Sequence, residues 1–398
     1  MASGSDIVIV GAGQAAAQLV MSLRAARHEG KITLIGDEPH VPYSRPPLSK
    51  TFLGGQTEID DLFFRTPDWY ADQDVQLMTG VRVTAIDKEN RKLETTAGSV
   101  AYGQLVLATG TRPRILPTLP DTLTNVVYLR AVADIDRLRP LLTGPRRVAV
   151  VGGGFIGLEF AAAARKLGHE VTVIEAGPRL MGRAVSSAMS DWFLRLHQSH
   201  GVDVRLSTGL EQVIEETGAV KALGLSDGST LDADLVVAGV GAIPNDELAD
   251  AAGIRCDNGI AVAPDLQTSE NGIFAIGDCC SFLLPDGRRI RLECVQSAVD
   301  QARHLAAVLT DKDTAPYIAV PWFWTDQFGA KLQIAGLLPA PCAKVPCPTD
   351  ADRFSLDHHD GDQLICRESF NDPKAHVAAR KAMKADLSQT IPSVAARA

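Results

Sequence analysis

The segment DIVIVGAGQAAAQLVMSLRAARHEGKITLIGDE, at residues 6–38, decides the fold of this chain. A β-branched run ends at Gly11, an alanine-rich helical stretch follows it, and a second β-branched run ends just before Asp37. This order of strand, glycine turn, helix and strand predicts one βαβ unit of the length that binds dinucleotides.

The glycine turn of this unit has the pattern Gly11-x-Gly13-x-x-Ala16. Gly11 allows a tight turn, Gly13 lets the backbone approach a pyrophosphate, and Ala16 permits close packing of the helix. The phosphate would bind at the helix N-terminus through backbone N–H groups and the helix dipole. Asp37 or Glu38, at the end of the second strand, can accept a hydrogen bond from a ribose hydroxyl.

The same arrangement recurs in RRVAVVGGGFIGLEFAAAARKLGHEVTVIEAG, at residues 146–177. Its fingerprint is again complete, with glycines at Gly152, Gly154 and Gly157. Two nucleotide-binding units in one chain imply two different nucleotides.

Glu175 ends the second strand of this second unit. A carboxylate at that position binds the ribose diol of the adenosine and repels a 2′-phosphate, so the sequence favours NADH over NADPH. The nearby Arg179 leaves the alternative open, because an arginine can accommodate that phosphate.

The chain changes character after about Pro316. Two strand-like segments, WFWTDQFGAKLQIAGL and RFSLDHHDGDQLICRESF, are followed by a helical stretch, PKAHVAARKAMKADL, and the second segment turns at Asp360 and Gly361. The fold class is therefore predicted to be α/β, with two Rossmann-like dinucleotide-binding domains and a C-terminal α+β domain.

Length and charge exclude several classes of function. At 398 residues the chain can form two or three domains, and a formal net charge of −9 argues against a general nucleic-acid-binding protein. No apolar run is long enough to span a membrane, and the strand-like N-terminus leaves no room for a signal peptide. These features predict a cytoplasmic protein without a membrane or nucleic-acid partner.

The seven cysteines all lie at or beyond Cys256, and none forms a C-x-x-C pair. The spacing is therefore neither a disulfide framework nor a zinc site, and no metal is expected. The adjacent Cys279 and Cys280 are expected to be small buried residues, because neighbouring cysteines could only form a strained disulfide.

The stretch YSRPPLSK, at residues 43–50, presents a lysine on a stiffened loop. Because Pro46 and Pro47 can open a helix, Lys50 is expected in or near a first helical turn, where the helix dipole disfavours a cation. A lysine in that position needs an anion nearby, unless it is simply solvated on a surface turn.

Two acidic residues elsewhere have both a structural and a functional interpretation. Glu159 lies early in the second nucleotide helix, where it could point toward a nicotinamide or only favour the helix dipole. Asp278 follows a strand-like run and a glycine, where it could bind a polyol or only cap the next helix.

Motifs along nearly the whole chain resemble flavoprotein reductases of the glutathione-reductase fold. They are VIVGAGQAA, LVLATGTRPR, VVGGGFIGLE, VVAGVGAIPN and FAIGDC, in that order. YSRPPLSK, FRTPDWY, ECVQSA and PWFWTDQ are further similar to the NADH-dependent ferredoxin reductases of the putidaredoxin reductase and ring-hydroxylating dioxygenase type.

The resemblance implies that residues 1–105 and 232–315 bind FAD, that residues 106–231 bind NADH, and that residues 316–398 form the C-terminal domain. It places Asp37 on the adenosine ribose, Lys50 beside the isoalloxazine ring and Asp278 on the ribityl chain. The residues that it implies for FAD are Gly11, Gly13, Ala15, Ala16, Asp37, Arg45, Lys50, Val81, Thr109, Gly110, Arg130, Asp278, Val295 and Trp324. Those implied for NADH are Gly152, Gly154, Ile156, Gly157 and Glu175.

Disulfide-reducing members of the resembled fold carry cysteines after the first nucleotide strand, and this chain has none before Cys256. Electrons passed from NADH to FAD would therefore leave to an external acceptor, which the resemblance implies is a 2Fe–2S ferredoxin that feeds a monooxygenase or a ring-hydroxylating dioxygenase. Lys50 paired with Glu159 would then orient the flavin and stabilise its reduced form. An interaction flavoprotein of the apoptosis-inducing-factor type and an NADH oxidase are the alternatives.

Two further features concern the exit of electrons. Trp322 and Trp324 lie two residues apart and therefore on one face of a strand, either as a packing pair or with one ring covering the flavin. Arg288, Arg289 and Arg291 form a basic cluster that could dock an acidic ferredoxin or be a solvated hairpin tip.

Overall fold

A computed structural model describes residues 5–284, 286–312, 315–338 and 352–390. The strands in these ranges are β1 (Ile7–Val10), β2 (Ile32–Gly36), β3 (Val75–Thr79), β4 (Val83–Asp87), β5 (Lys92–Thr95), β6 (Gly98–Ala101), β7 (Gln104–Leu107), β8 (Thr111–Pro113), β9 (Val126–Tyr128), β10 (Arg147–Val151), β11 (Glu170–Ile174), β12 (Asp203–Arg205), β13 (Leu210–Glu216), β14 (Ala219–Leu225), β15 (Thr230–Asp232), β16 (Leu235–Ala238), β17 (Ala242–Pro244), β18 (Ile260–Ala261), β19 (Ile273–Ala275), β20 (Cys280–Leu283), β21 (Arg289–Ile290), β22 (Trp322–Gln327), β23 (Ala330–Gly336), β24 (Phe354–Asp360) and β25 (Gln363–Phe370).

The helices connect these strands or cover their sheets. They are α1 (Gln14–Ala25), α2 (Pro67–Asp72), α3 (Val132–Leu141), α4 (Phe155–Lys166), α5 (Ser187–Ser199), α6 (Glu247–Ala251), α7 (Val295–Leu309) and α8 (Pro373–Thr390). Two short 3-10 turns lie at Ile59–Leu62 and Gly277–Cys279. Across the described ranges, no helix combines the length and the apolar character that a membrane span requires.

The first sheet is parallel and has the strand order β19-β7-β1-β2-β3. All four residues of β1 are buried, as expected for a strand that lies inside a sheet covered on both faces. Ligands bind such sheets at the carboxyl ends of the strands, beside the point where the chain reverses its winding. Here that point lies between β1 and β7, next to the N-terminus of α1.

The second sheet repeats this design with the order β12-β11-β10-β16-β9, and its strands are also parallel. Its central strand β10 pairs with β11 on one side and with β16 on the other. The two Rossmann-like units and the C-terminal sheet described below confirm the predicted α/β fold class.

Smaller antiparallel sheets extend the two units. β4-β5-β6 form a meander beside the first sheet, and β13-β14-β15 form another beside the second. The pair β8-β17 lies where the chain passes between the units in both directions. A further sheet has the order β18-β20-β21.

The strand topology bears on the division into domains. The expected boundary at 105/106 cuts β7, which continues to Leu107 in the first sheet, and the boundary at 231/232 precedes β16, which belongs to the second sheet. Sequence patterns alone could not assign these strands, because buried parallel strands in both sheets have the same apolar composition. We therefore propose boundaries after Leu107 and after Ala238.

The C-terminal sheet is antiparallel, with the order β22-β23-β25-β24, and α8 packs against it. Its hairpin turns at Gly361, which has a φ of +57°. The sheet also packs on α5 of the second unit, where the ring centroids of Trp192 and Phe370 are 4.0 Å apart. This contact joins the C-terminal sheet to the core of the second unit.

The stretch YSRPPLSK does not form the helical turn that its prolines suggested. Residues 46–55 form a series of turns, in which Leu48 N–H bonds to Arg45 C=O, and the N–H groups of Lys50 and Phe52 both bond to Pro47 C=O. A helix would pair each N–H with the carbonyl four residues earlier. Lys50 therefore lies on a compact loop rather than at a helix N-terminus.

Candidate active site

Both glycine turns bring two strand ends into close contact. Gly11 has a φ of +106°, and a Cβ there would lie 2.2 Å from the carbonyl oxygen of Ala108. Gly152 has a φ of +107°, and its Cβ would lie 2.4 Å from the carbonyl oxygen of Gly239. Only glycine fits either position, because the backbone is left-handed and the space is filled.

The second glycine of each turn faces open space at a helix N-terminus. A Cβ on Gly13 would meet no described heavy atom within 4 Å, and one on Gly154 would meet only Gly239 O at 3.9 Å. By contrast Ala16 is fully buried, and a Cβ on Gly157 would lie 2.2 Å from Gly152 O. Each helix is thus packed closely at its first turn while its N–H groups remain accessible, which suits a pyrophosphate.

The two acids after β2 have different surroundings. The carboxylate of Glu38 accepts hydrogen bonds from Tyr43 Oη at 2.5 Å and from Arg45 Nη2 at 2.5 Å. Asp37 is largely exposed and forms an ion pair with the exposed Arg82, with 3.2 Å between Oδ2 and Nη2. Asp37 is therefore the acid that can still bind a ribose diol.

The sidechain of Arg130 lies between strand ends of the first unit. Its Nη2 atom is 3.3 Å from Asp278 Oδ2, and a Cβ on Gly110 would lie 3.5 Å from it. Arg130 C=O in turn accepts a hydrogen bond from Arg45 Nη1 at 2.8 Å. Four of the expected FAD residues are thus brought together, although they are distant in the sequence.

A residue that was not predicted fixes the adjacent crossover between the units. Asn245 donates from Nδ2 to Thr109 C=O at 2.8 Å, and Thr109 Oγ1 donates to Asn245 C=O at 2.6 Å. The reciprocal pair fixes Thr109 at the end of β7. Asn245 stands in the motif VVAGVGAIPN, but the motif does not reveal which residue it contacts.

Three other expected FAD residues have apolar side chains at or near the ends of strands or helices. Ala15 Cβ would lie 3.0 Å from a Cβ on Gly277, Val81 N–H bonds to Gly36 C=O at 2.9 Å, and Val295 begins α7. These residues contribute shape and backbone groups rather than charge.

The two tryptophans of β22 share a face, with ring centroids 5.6 Å apart. Trp322 also packs on two residues of α8, since its ring centroid lies 5.1 Å from that of His376 and 4.5 Å from the guanidinium carbon of Arg380. Trp322 is therefore part of the C-terminal packing. Trp324 is the better candidate for contact with a cofactor.

Lys50 and Glu159 meet where the two nucleotide-binding units and the C-terminal sheet converge. Lys50 Nζ lies 2.9 Å from Glu159 Oε1. The same carboxylate accepts hydrogen bonds from Ser49 Oγ at 3.0 Å and from Thr325 Oγ1 at 2.8 Å. Glu159 is 8% exposed, so its charge is compensated by these three donors rather than by water.

Sequence reasoning found Lys50 and Glu159 but missed Ser49 and Thr325. Both belong to quoted motifs, YSRPPLSK and PWFWTDQ, yet a serine or threonine gives no signal of its partner. The structure also shows that Glu159 faces the proline loop and β22. Glu159 therefore does more than favour the dipole of its own helix.

The carboxylate of Glu175 is held by two backbone groups. Its Oε2 atom accepts from Gly153 N–H and its Oε1 atom from Gly177 N–H, both at 2.7 Å. Arg179 donates to Val185 C=O and Gly182 C=O, both at 2.5 Å, so its guanidinium is engaged within its own loop. This arrangement weakens the case for a 2′-phosphate at Arg179.

Ile156 is 47% exposed at the first turn of α4, beside the open N-terminus of the helix.

The described cysteines have the properties of structural residues. Cys279 and Cys280 are buried, and burial raises the pKa of both thiols. Burial and the nearby Asp246 raise the pKa of Cys256 to about 11, and burial raises the pKa of Cys294 to about 12. None of these four is activated as a thiolate nucleophile. Cys342 and Cys347 lie outside the described residues.

The three arginines of the expected basic cluster point to separate partners. Arg288 is exposed and pairs with Asp286 at 2.7 Å, whereas Arg291 is mostly buried and donates to Asp278 C=O at 3.1 Å. Arg289 donates to Ser281 C=O at 2.6 Å. They do not present three free charges to a partner.

Comparisons with known proteins show the family to which this chain belongs. The family described as pyridine nucleotide-disulphide oxidoreductase matches residues 5–302, and the reductase C-terminal family matches residues 322–398. Rhodocoxin reductase from Rhodococcus erythropolis is 43% identical over 97% of this chain and 91% of its own length. The ferredoxin–NAD⁺ reductase component of the anthranilate 1,2-dioxygenase system from Burkholderia cepacia is 42% identical over 85% of this chain and 83% of its own.

Among solved structures, the covalent complex of putidaredoxin reductase with putidaredoxin contains a similar chain. The TM-score is 0.91 at 38% identity, and the superposition covers 96% of this chain and 93% of the other. The chain therefore belongs to the pyridine nucleotide-disulphide oxidoreductase family and, within it, to the FAD-dependent ferredoxin reductases that take electrons from NADH.

Proposed function

We propose that this protein transfers electrons from NADH, through FAD, to a 2Fe–2S ferredoxin that supplies an oxygenase. The contact between Lys50 and Glu159 is the observation that carries this proposal. Lys50 belongs to the unit of the first glycine turn and Glu159 to the helix of the second, so their ion pair at 2.9 Å lies where the two nucleotide sites would meet.

FAD fits the first site and NADH the second, because each has a left-handed glycine, an accessible helix N-terminus and an acid after the second strand. Asp37, Arg130 and Asp278 would hold the sugar and ribityl parts of FAD, and Glu175 would hold the ribose of NADH. When bound, FAD takes two electrons from NADH and releases them singly. The FAD residues proposed are the expected set. Of the two acids after β2, Asp37 is proposed to bind the ribose, because Glu38 is engaged with Tyr43 and Arg45.

The chain's own groups would orient and shield the reacting rings. The Lys50 cation, held by Glu159, stabilises negative charge that develops nearby, since a fixed charge in a partly buried site acts more strongly than in water. Trp324 would cover the side from which electrons leave. With no activated thiol among the described cysteines, the acceptor is proposed to be a separate protein.

We propose that an acidic ferredoxin docks in a groove of about 420 Å³. The groove is lined by α1, by α7 and by the segment that precedes α2. It carries the exposed Arg65 and Arg303, together with apolar contact surface from Met21 and Phe64. Arg303 lies eight residues beyond Val295 on α7, which is roughly 12 Å along the helix axis. Helix α7 thus connects the groove to the proposed flavin site, about two helical turns away.

We propose that the protein is cytoplasmic. The five described cysteines are free thiols, a form typical of reducing compartments. Cell fractionation with a periplasmic control would test it.

The decisive experiment is turnover of the purified, FAD-loaded protein. With NADH and a 2Fe–2S ferredoxin, cytochrome c should be reduced much faster than in the ferredoxin-free control. Equal rates would contradict the ferredoxin assignment. Rapid oxygen consumption without ferredoxin would instead support an NADH oxidase, and neither activity would favour an interaction flavoprotein.

A further inference from the structure

A chain of buried polar side chains continues from Glu159 into the second unit. Thr325 Oγ1 lies 2.8 Å from Glu159 Oε1, Gln327 Nε2 lies 3.1 Å from Thr325 Oγ1, and His197 Nε2 lies 2.8 Å from Gln327 Oε1. Thr325 and His197 are fully buried and Gln327 is 1% exposed. Side chains of this kind are rarely buried unless they are hydrogen-bonded.

The chemistry of the carboxylate fixes the direction of every bond in this chain. An ionised Glu159 can only accept, so Thr325 must donate its single hydroxyl proton to it. Thr325 oxygen must then accept from the amide N–H of Gln327, and Gln327 oxygen accepts from His197 Nε2–H. The reversed amide would take the Thr325 proton away from Glu159.

His197 is suited to the donor role at the far end. Burial lowers the pKa of His197 to about 4, although its hydrogen bond to Gln327 opposes this effect. The ring is therefore neutral near pH 7. Its Nε2 carries the proton, and its Nδ1 has no hydrogen-bond partner among the described residues.

Resting on the proposed function, we infer that Thr325, Gln327 and His197 are positioning residues that act through Glu159 on Lys50. Donors that are aligned in one direction polarise one another, so the last hydroxyl is a stronger donor to the carboxylate. By sharing the negative charge of Glu159, this hydroxyl leaves more of the Lys50 cation available to the flavin site. The relay therefore sets the electrostatics of the site without touching a cofactor.

The test compares Thr325→Val, which keeps the shape and removes the hydroxyl, with Thr325→Ser, which keeps the hydroxyl. In the FAD-loaded protein, Thr325→Val should slow reduction of the bound FAD by NADH about tenfold, as expected when a charged acceptor loses one buried donor. It should also make the flavin midpoint potential more negative while leaving the Kd for NADH unchanged. Thr325→Ser should restore both the rate and the potential.

A second measurement does not depend on turnover. Selective ¹⁵N labelling of histidine should show His197 with its proton on Nε2 in the wild-type protein, and Gln327→Met should abolish this fixed tautomer. A proton on Nδ1 in the wild type, or a Thr325→Val protein with the wild-type rate and potential, would overturn the inference. If wild-type FAD is not reduced by NADH, the proposed function fails, and the potential and tautomer still decide the inference.

Discussion

Lys50 and Glu159 form an ion pair with 2.9 Å between Nζ and Oε1, although one lies on a proline-stiffened loop and the other on the second nucleotide helix. Thr325 and Ser49 complete the set of donors around the carboxylate. The pair is partly buried, so its charges are less screened than those of a surface ion pair. This relationship makes Lys50 the residue whose removal tests the proposed site most directly.

We expect Lys50→Met to slow reduction of bound FAD by at least tenfold and to make the flavin midpoint potential more negative, because the variant removes a cation beside the developing charge. Stopped-flow absorbance and a redox titration measure the two effects. Lys88→Met is the matched control, since Lys88 also forms an ion pair, with 2.8 Å between its Nζ and Glu270 Oε1, and this pair lies outside the proposed site. A normal rate and potential in Lys50→Met would remove the role proposed for this lysine.

The Glu175 carboxylate should determine the choice between NADH and NADPH. Glu175→Gln keeps an oxygen that can accept one backbone N–H but removes the negative charge that repels a 2′-phosphate. We expect the ratio of kcat/KM for NADH over NADPH to fall by about tenfold or more in this variant, measured with ferricyanide as acceptor.

Arg179→Ala is the control for the alternative phosphate site. Because Arg179 is engaged with Val185 C=O and Gly182 C=O, its removal should leave the cofactor ratio nearly unchanged. Equal efficiencies of the wild-type protein with both cofactors would contradict the assignment of Glu175.

The sequence predicted the glycine turns well, because the positive φ of Gly11 and Gly152 is a local property of each strand–turn–helix segment, although the strand ends that fill the space beside them are distant in the chain. It could not predict the partners of Glu159, since Ser49 and Thr325 come from segments that only the tertiary fold brings together. The sequence also placed Arg291 in an exposed basic cluster, whereas its guanidinium turns inward and donates to the backbone carbonyl of Asp278. Local conformation is readable from sequence, whereas long-range hydrogen-bond partners depend on packing.

Glu368 should anchor the N-terminus of α5 to the C-terminal sheet. This fully buried carboxylate accepts from Ser186 N–H at 2.8 Å and lies 2.9 Å from His358 Nε2. Glu368→Ala leaves buried polar groups without their acceptor and removes an anion from a helix N-terminus, at a cost of about 3 kcal/mol.

Hydrogen–deuterium exchange of the FAD-loaded protein measures this effect locally. Amides in the first turns of α5 should exchange faster in Glu368→Ala, while those of α4 should not change. Glu216→Ala is the control, because the ion pair of Glu216 with Lys221 is exposed and should contribute little. Unchanged exchange in α5 would show that Glu368 does not anchor the helix.

The proposed docking groove predicts which charges a ferredoxin senses. The double variant Arg65→Glu/Arg303→Glu should raise the KM for an acidic 2Fe–2S ferredoxin by more than tenfold at low salt, and added salt should reduce the difference. Reduction of ferricyanide by NADH should stay normal, because the flavin site is untouched. Arg288→Glu should have little effect, and a larger effect there than in the double variant would place docking at the β20–β21 hairpin instead.

His197 should make the protein less stable in mild acid. Its pKa is lowered by burial from 6.5 to about 4, so the unfolded chain binds a proton at pH values where the folded chain does not. The contribution of His197 to the free energy of unfolding is therefore fully present above about pH 6.5. It is lost as the pH falls toward 4, by roughly 3 kcal/mol at most.

The variant His197→Gln tests this contribution, because glutamine can still donate a hydrogen bond to Gln327 but cannot titrate in this range. We expect the Tm of the FAD-loaded protein to fall less between pH 7.5 and pH 5 in His197→Gln than in the wild type. The loss of stability caused by protonation of the buried His376 is the same in both proteins. An identical fall in Tm would exclude His197 as the source.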